Sequence, residues 1–287
     1  MKPGSNGMIG GTMAVLLAAL ANWCSSAHAE ANSNIEELKA GKNFIPTRVY
    51  NSDEDQGILK LFEGLRVSDV VDGMDKAGLH NIGLMSPDIR PAWKDTEHFA
   101  HRFVGIALTV RYVPTNKPPA PRMETKPFNR WVGEWYRELS TEAFVPLIRQ
   151  GTALVFDDAP EADVGSIGSN NIMNWRVRGC VGVVTDATAR DTDEVAAERI
   201  PLYFRKPGRG IRPGRNEIES VNRPIVCGGV LVEPGDVVVA DGDGVVVVPR
   251  ARAEEVAEYA RATLESDKAG RRQLYERLGL SPDDSVR

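Results

Sequence analysis

Cysteine and histidine are the scarcest chemistry-bearing residues in this chain, with 3 and 4 among 287. That is too few for a disulfide-stapled scaffold. Cys180 and Cys227 lie singly in apolar runs, without the C-x-x-C spacing of a zinc or redox site. They read as two buried free thiols, and a bridge between them is the arrangement an oxidising compartment would add. His98 and His101 stand near each other, but no third ligand follows at metal spacing, so they read as part of a polar loop. Basic charge is short as well: 35 Lys and Arg against 40 Asp and Glu leave a net charge of −5, with no general pull toward nucleic acid. No Gly-rich loop follows a first strand, as a methyl-transfer cofactor would need. The 42% of hydrophobic residues is enough for a sizeable core.

No apolar run approaches the ~18 residues that would span a bilayer. The run MAVLLAALA at Met13–Ala21 is about half that, and Ala27-His28-Ala29 follows it with small residues at cleavage positions. This pattern predicts a signal peptide over 1–29, cleaved after Ala29, and a periplasmic or secreted mature protein with no membrane segment. Cleavage would remove Cys24, where the preceding Trp23 argues against lipid attachment.

The remaining chain reads as an N-terminal arm over 30–57 and one α/β domain over 58–287. Apolar spacing predicts helices over 58–65 and 67–77 and a strand over 104–113. The stretch PTNKPPAPRMETKPF at 114–128 is a Pro-rich insertion that must be a loop, leading to a helix over about 132–150. Short Val-rich strands follow at 153–156, 181–185, 201–204, 225–232 and 237–249, with a helix at 170–178 and a long closing helix from 252 to about 278. Strand pairs with flanking helices suggest layers rather than a string of βαβ units.

The segment Gly165–Asp191, GSIGSNNIMNWRVRGCVGVVTDATARD, carries the chemistry. A Gly-rich loop enters a helix with Ser169 as its N-cap, and the amides of Ser169, Asn170 and Asn171 would be open to a carboxylate or phosphate. A plain capped helix has the same residues. The strand that follows can return Arg190 and Asp191 to the same sheet edge, where ligands collect. Arg190 offers a planar fork for a carboxylate, and Asp191 a hard oxygen for Mg²⁺ or Mn²⁺. Asp186 could support such a metal from behind or end its strand. Asp241-Gly242-Asp243-Gly244 resembles the start of a calcium loop but has Val245 where a third ligand belongs, so it reads as a hairpin turn. The arginines from Arg205 to Arg215 read as a solvated loop or a second anion contact.

These residues resemble a known family. RGCVGVVTDATARD, then IPLYFRKPGRGIRPGRNEIESVNRPIVCGGVLVEPGDVVVADGDGVVVVP, and more weakly RVSDVVDGMDKAG, are similar to the RraA-like family, which includes the 4-hydroxy-4-methyl-2-oxoglutarate aldolases. The resemblance is clear over about 151–265 and weaker over 58–113. It implies a layered β/β/α sandwich of the swivelling-domain type, assembled as homotrimers or homohexamers with active sites at subunit boundaries. It also implies that Gly168, Ser169, Asn170 and Asn171 form the substrate loop, that Arg190 takes the substrate carboxylate and that Asp191 binds a divalent metal. Glu265 falls where the family brings an acidic residue from the neighbouring subunit. Ser169 occupies the place where the aldolases carry Asp or Glu.

The implied activity is metal-dependent cleavage of a small 2-oxo acid to pyruvate, by aldol cleavage of 4-hydroxy-2-oxo diacids or by decarboxylation of oxaloacetate. No lysine occurs between Pro127 and Arg205, which disfavours a Schiff-base route. A non-catalytic binding or regulatory protein on the same scaffold is the alternative.

Overall fold

The computed structural model describes residues 45, 47–158, 163–283 and 285–286. The expected signal peptide and most of the arm lie outside the described residues. The chain divides into two units, Met1–Pro46 and Thr47–Arg287, and the second is described here.

Its elements run α1 (Ser52–Phe62), α2 (Val67–Lys76), β1 (Arg90–Pro91), β2 (Phe103–Pro114), α3 (Thr125–Glu138), β3 (Thr152–Asp157), α4 (Ser169–Val177) and β4 (Cys180–Thr185). There follow β5 (Thr188–Ala189), α5 (Thr192–Ala197), β6 (Leu202–Phe204), β7 (Lys206–Pro207), β8 (Asn216–Val221), β9 (Ile225–Cys227), β10 (Val230–Val232), β11 (Val237–Asp241), β12 (Gly244–Val248) and α6 (Ala253–Leu278). The main sheet is ordered β1-β6-β4-β3-β2-β11-β12, with β8 paired to the far half of β2. Strands β2, β3, β4 and β6 are mutually parallel, so their carboxyl ends share one edge.

Alternation along the strands builds two faces. On β3, Ala153 and Val155 point into a cluster with Val184, Val238 and Val247, covered by the β9–β10 hairpin. Leu154 and Phe156 point the other way, against Ile172 and Trp175 of α4. Further along that outer face, Val237, Val239, Val246 and Val248 meet α1, α2 and α6 through Phe62, Val70, Val256 and Ala260. The sheet curls until its two ends meet: Arg90 Nη1 donates to the Asp243 carbonyl at 3.2 Å. This is the layered α/β architecture expected.

Several boundaries differ from the sequence reading. The first helix begins at Ser52, capped by Asn51 Oδ1 accepting from the Glu54 amide at 2.8 Å. The helix expected at 132–150 is α3, starting seven residues earlier and ending at Glu138. Pro127 fits its first turn because an amide there has no intrahelical partner to lose. The strand expected over 225–232 is a hairpin folded at Gly228-Gly229, and β8 is an addition to the strands read from the sequence.

Asp241–Gly244 is the hairpin turn expected, joining β11 to β12. Its buried Asp241 Oδ2 also accepts from the Val67 amide at the start of α2, at 2.9 Å. Both described cysteines are free and buried, and burial pushes the Cys180 thiol up to about 11. Among the described residues, no helix is long and apolar enough to cross a membrane.

Candidate active site at the carboxyl ends of the parallel strands

The site is built from the loop after β3 and the turn after β4. A parallel bridge joins Ile167 to Ala189, and the Arg190 amide donates to the Ile167 carbonyl at 2.8 Å, so the two segments run side by side. Two glycines allow that approach. A Cβ at Gly165 would lie 2.5 Å from Arg190 Cβ. One at Gly168 would lie 2.7 Å from Asp191 Oδ2, 3.4 Å from Arg190 Nε and 3.5 Å from Asn171 Oδ1. The bare Cα of Gly168 is thus the floor of a cradle that a carboxylate, a guanidinium and a carboxamide oxygen all face.

Asp191 adopts a left-handed conformation, φ 55° and ψ 41°, which Asp tolerates better than most residues. It stands at the N-cap of α5, yet its side chain makes no cap bond there. The carboxylate instead turns to the Gly168 loop, where Oδ2 accepts from the Ser169 amide at 3.2 Å. Arg190 Nε lies 3.7 Å from Asp191 Oδ2 and is buried without a hydrogen-bond partner. That nitrogen is not spent on a hydrogen bond and a third of the side chain is exposed, so the guanidinium can meet an anion beside Asp191.

Ser169 does not cap α4. Gly168 is the N-cap, and Ser169 is the first helical residue, 8% exposed. A Gly N-cap keeps the approach to Asp191 clear, which a side chain at 168 would block. Since Asp191 takes the Ser169 amide, the amides of Asn170 and Asn171 are left as the open pair at the helix N-terminus.

Asp186 lies at the turn after β4, its Oδ2 accepting from the Gly228 amide at 3.2 Å and its Oδ1 buried without a partner. Burial raises its pKa. Asp157, at the end of β3, is pushed up to about 6 by burial, against the pull of Arg111 3.1 Å away. Glu265 is exposed on α6, whose neighbouring Leu264 packs in the helical layer over β11 and β12.

Sequence reasoning missed Glu142 and read Arg212 only as one of the arginines of a solvated loop or second anion contact, whereas it is buried. Glu142 Oε1 accepts from Asn171 Nδ2 at 2.5 Å and from Arg212 Nη2 at 2.6 Å, and its Oε2 accepts from Trp175 Nε1 at 3.1 Å. Arg212, with a side chain 5% exposed, also donates to the Tyr112 hydroxyl at 2.6 Å. Of the arginines from Arg205 to Arg215, this one turns inward, whereas Arg209 pairs with Asp163 at the surface.

Among the described residues, no three His, Cys, Asp or Glu side chains are grouped to hold a metal. The cradle suits a hard cation of the kind that needs fewer protein ligands. Asp191 supplies a half-exposed carboxylate, and Asn171 Oδ1 faces the same point. Mg²⁺ and Mn²⁺ accept one or two protein oxygens and complete their shell with water and substrate.

An anion grip beside a hard-cation ligand, at the carboxyl edge of a layered α/β sheet, defines a class of small-acid sites. The RraA-like family model, described as Aldolase/RraA, matches residues 67–247, and the chain belongs to that family. A Halalkalibacterium halodurans protein provisionally named as a 4-hydroxy-4-methyl-2-oxoglutarate aldolase is 30% identical over 129 residues, 45% of this chain and 60% of that protein. The Legionella pneumophila protein DlpA is 25% identical over 228 residues, 75% of this chain and 32% of its own length. The chain therefore spans less than two thirds of either relative.

Among solved structures, a Pseudomonas syringae protein shares 25% identity with a TM-score of 0.58, over 83% of this chain and 97% of that one. Streptomyces coelicolor RraAS2, described as an unusual member of the RNase ES inhibitor RraA protein family, shares 20% identity with a TM-score of 0.59. The match covers 79% of this chain and 99% of that one, and it supports the fold.

Proposed function

We propose that this protein is a divalent-metal-dependent carbon–carbon lyase that releases pyruvate from small 2-oxo acids. The observation that carries the reading is the convergence of Asp191 Oδ2 and the unpartnered Arg190 Nε on the bare face of Gly168. Arg190 holds the carboxylate of the pyruvyl end, and the open amides of Asn170 and Asn171 present donors to the same anion. Asp191 holds Mg²⁺ or Mn²⁺, with Asn171 Oδ1 within reach of the same ion. A divalent cation there supplies positive charge against the oxygen that becomes negative when the carbon–carbon bond breaks.

Two reactions share that demand. In oxaloacetate decarboxylation the bond to the distal carboxylate breaks, carbon dioxide leaves, and the electron pair stays on the pyruvyl fragment as its enolate until a proton arrives. In aldol cleavage a base must also take the proton of the 4-hydroxyl. Ser169 stands where the family's aldolases carry an acidic side chain, and a hydroxyl is a poor proton acceptor near neutral pH. Decarboxylation is therefore the favoured activity of the two.

The test is pyruvate release by the mature chain from oxaloacetate and from 4-hydroxy-2-oxo diacids, with Mg²⁺ or Mn²⁺ and after chelation. Release that disappears on chelation and falls at least ~100-fold in D191A supports the reading. No release from any of these substrates, with the fold intact, leaves a non-catalytic RraA-like binding protein instead. We further propose that the chain is exported and works as a homotrimer or homohexamer in which Glu265 of one subunit reaches the site of the next. A mature N-terminus at Glu30 would support the export.

A further inference from the structure

The Asn171 carboxamide is held in one orientation by chemistry as well as by packing. Its neighbour Glu142 is a carboxylate and can only accept, so Asn171 must offer its nitrogen, the 2.5 Å contact from Nδ2 to Oε1. The oxygen of the same carboxamide then faces the other way. There Oδ1 lies within 3.5 Å of the point above Gly168 that Asp191 Oδ2 approaches to 2.7 Å.

Glu142 is itself fixed from two further sides. Trp175 Nε1 donates to Oε2, and the buried Arg212 guanidinium donates to Oε1 and balances its charge. Arg212 is sandwiched near the rings of Tyr112 and Tyr136, 5.3 and 5.1 Å from their centroids, and bonded to the Tyr112 hydroxyl. A carboxylate with three donors on two oxygens has little freedom to turn, and it passes that constraint to Asn171.

We propose that Glu142 is a positioning residue that aims Asn171 Oδ1 at the cradle and so makes it the second protein oxygen of the divalent-cation site, beside Asp191. The inference rests on the metal-site reading above and names a ligand and a support that this reading does not need. Arg212 and Trp175 serve the same end by holding Glu142.

The test is Mn²⁺ affinity in the presence of oxalate, read from the electron paramagnetic resonance signal of free Mn²⁺, with melting temperature recorded for each variant. Wild type should bind and D191A should not. N171A and E142Q should each bind about tenfold more weakly, the scale on which ligand-orienting partners act. N171D alone sets two carboxylates against each other and should also bind weakly. The double substitution E142Q/N171D does not repair the pairing, because Oε1 also accepts from Arg212 Nη2 and a carboxamide nitrogen placed there would face that donor, so it should bind weakly as well.

N171A binding as tightly as wild type while D191A binds nothing would overturn this inference and leave the metal site standing. No Mn²⁺ binding by wild type, or equal binding by D191A, would overturn both. If E142Q leaves Arg212 too exposed to fold, N171A decides alone, because it leaves the Glu142–Arg212 pair untouched.

Discussion

At the scale of single residues, the site depends on what Gly168 lacks. Its φ of −119° is open to any residue, so its importance is space and not backbone freedom. G168A should therefore fold normally, with a melting temperature close to wild type, yet bind oxalate and metal at least ~10-fold more weakly, because the new methyl meets Asp191 Oδ2 at 2.7 Å. Isothermal titration beside a thermal melt separates the two effects. Asp157 makes a different kind of statement. Its pKa rises from the ordinary 3.8 to about 6 in the fold, so the fold prefers its protonated form. Its contribution to stability is full below about pH 4 and is lost as pH rises through about 6. D157N cannot ionise and should be more stable than wild type above pH 6, by on the order of 2–3 kcal/mol, a net figure because the Arg111 attraction already holds the rise down. The difference should vanish below about pH 4, as urea midpoints at both values would show.

Legibility at this scale followed sequence distance. Arg190 and Asp191 could be read because they follow closely on the strand after the Gly168 helix, and the fold does bring them beside the Gly168 loop. Glu142 and Arg212 are 70 residues apart, and nothing in their spacing marks a buried pair. A hint lay in Glu142 following the aromatic helix, but the pairing appears only once Tyr112 and Trp175 are placed around it.

At the scale of elements, α4 matters more than its length suggests. Only Ser169, Ile172 and Trp175 of its residues are buried, and Trp175 is the largest of the three. Its ring packs against Phe144 and Phe156 with centroids 5.3 and 5.5 Å away. W175A should cost about 3–5 kcal/mol of stability, measured by denaturant titration, and should also weaken oxalate binding, since Glu142 loses one donor as the helix loosens. A loss of stability with unchanged binding would mean that α4 holds its first turn without this anchor. The elements misread from sequence are those whose boundaries depend on partners. Strand β8, NEIESV, has only Ile218 and Val221 as apolar residues because it lies at the edge of the sheet, half covered, against the bulged end of β2. The helix α3 takes its first turn from the end of the Pro-rich stretch and is anchored near its other end by buried Trp135, which donates to the Asn216 carbonyl at 3.0 Å.

At the scale of the whole molecule, the curled sheet sends four parallel strands to one edge, so the loops after β3 and β4 share one working surface. The layered class was readable from strand-rich and helix-flanked texture, whereas the curl was not, since it arises from the meeting of β1 with the β11–β12 hairpin across the chain. If neighbouring subunits complete each site, D191A and E265A are complementary lesions. Each homo-oligomer should be weak in pyruvate release, and co-assembled mixtures should recover on the order of a quarter of wild-type activity. No recovery in mixed oligomers would place each site within one subunit.

The central claim is that Arg190 and a cation on Asp191 together hold the oxygens of a small keto acid. Isothermal titration of oxalate into the metal-free protein, and again with saturating Mn²⁺, tests it most directly. Binding is expected only with the ion present, lost in D191A and weakened about tenfold or more in R190K, whose ammonium cannot form the paired contact. Equal oxalate binding with and without Mn²⁺, or binding that survives in D191A, would contradict it.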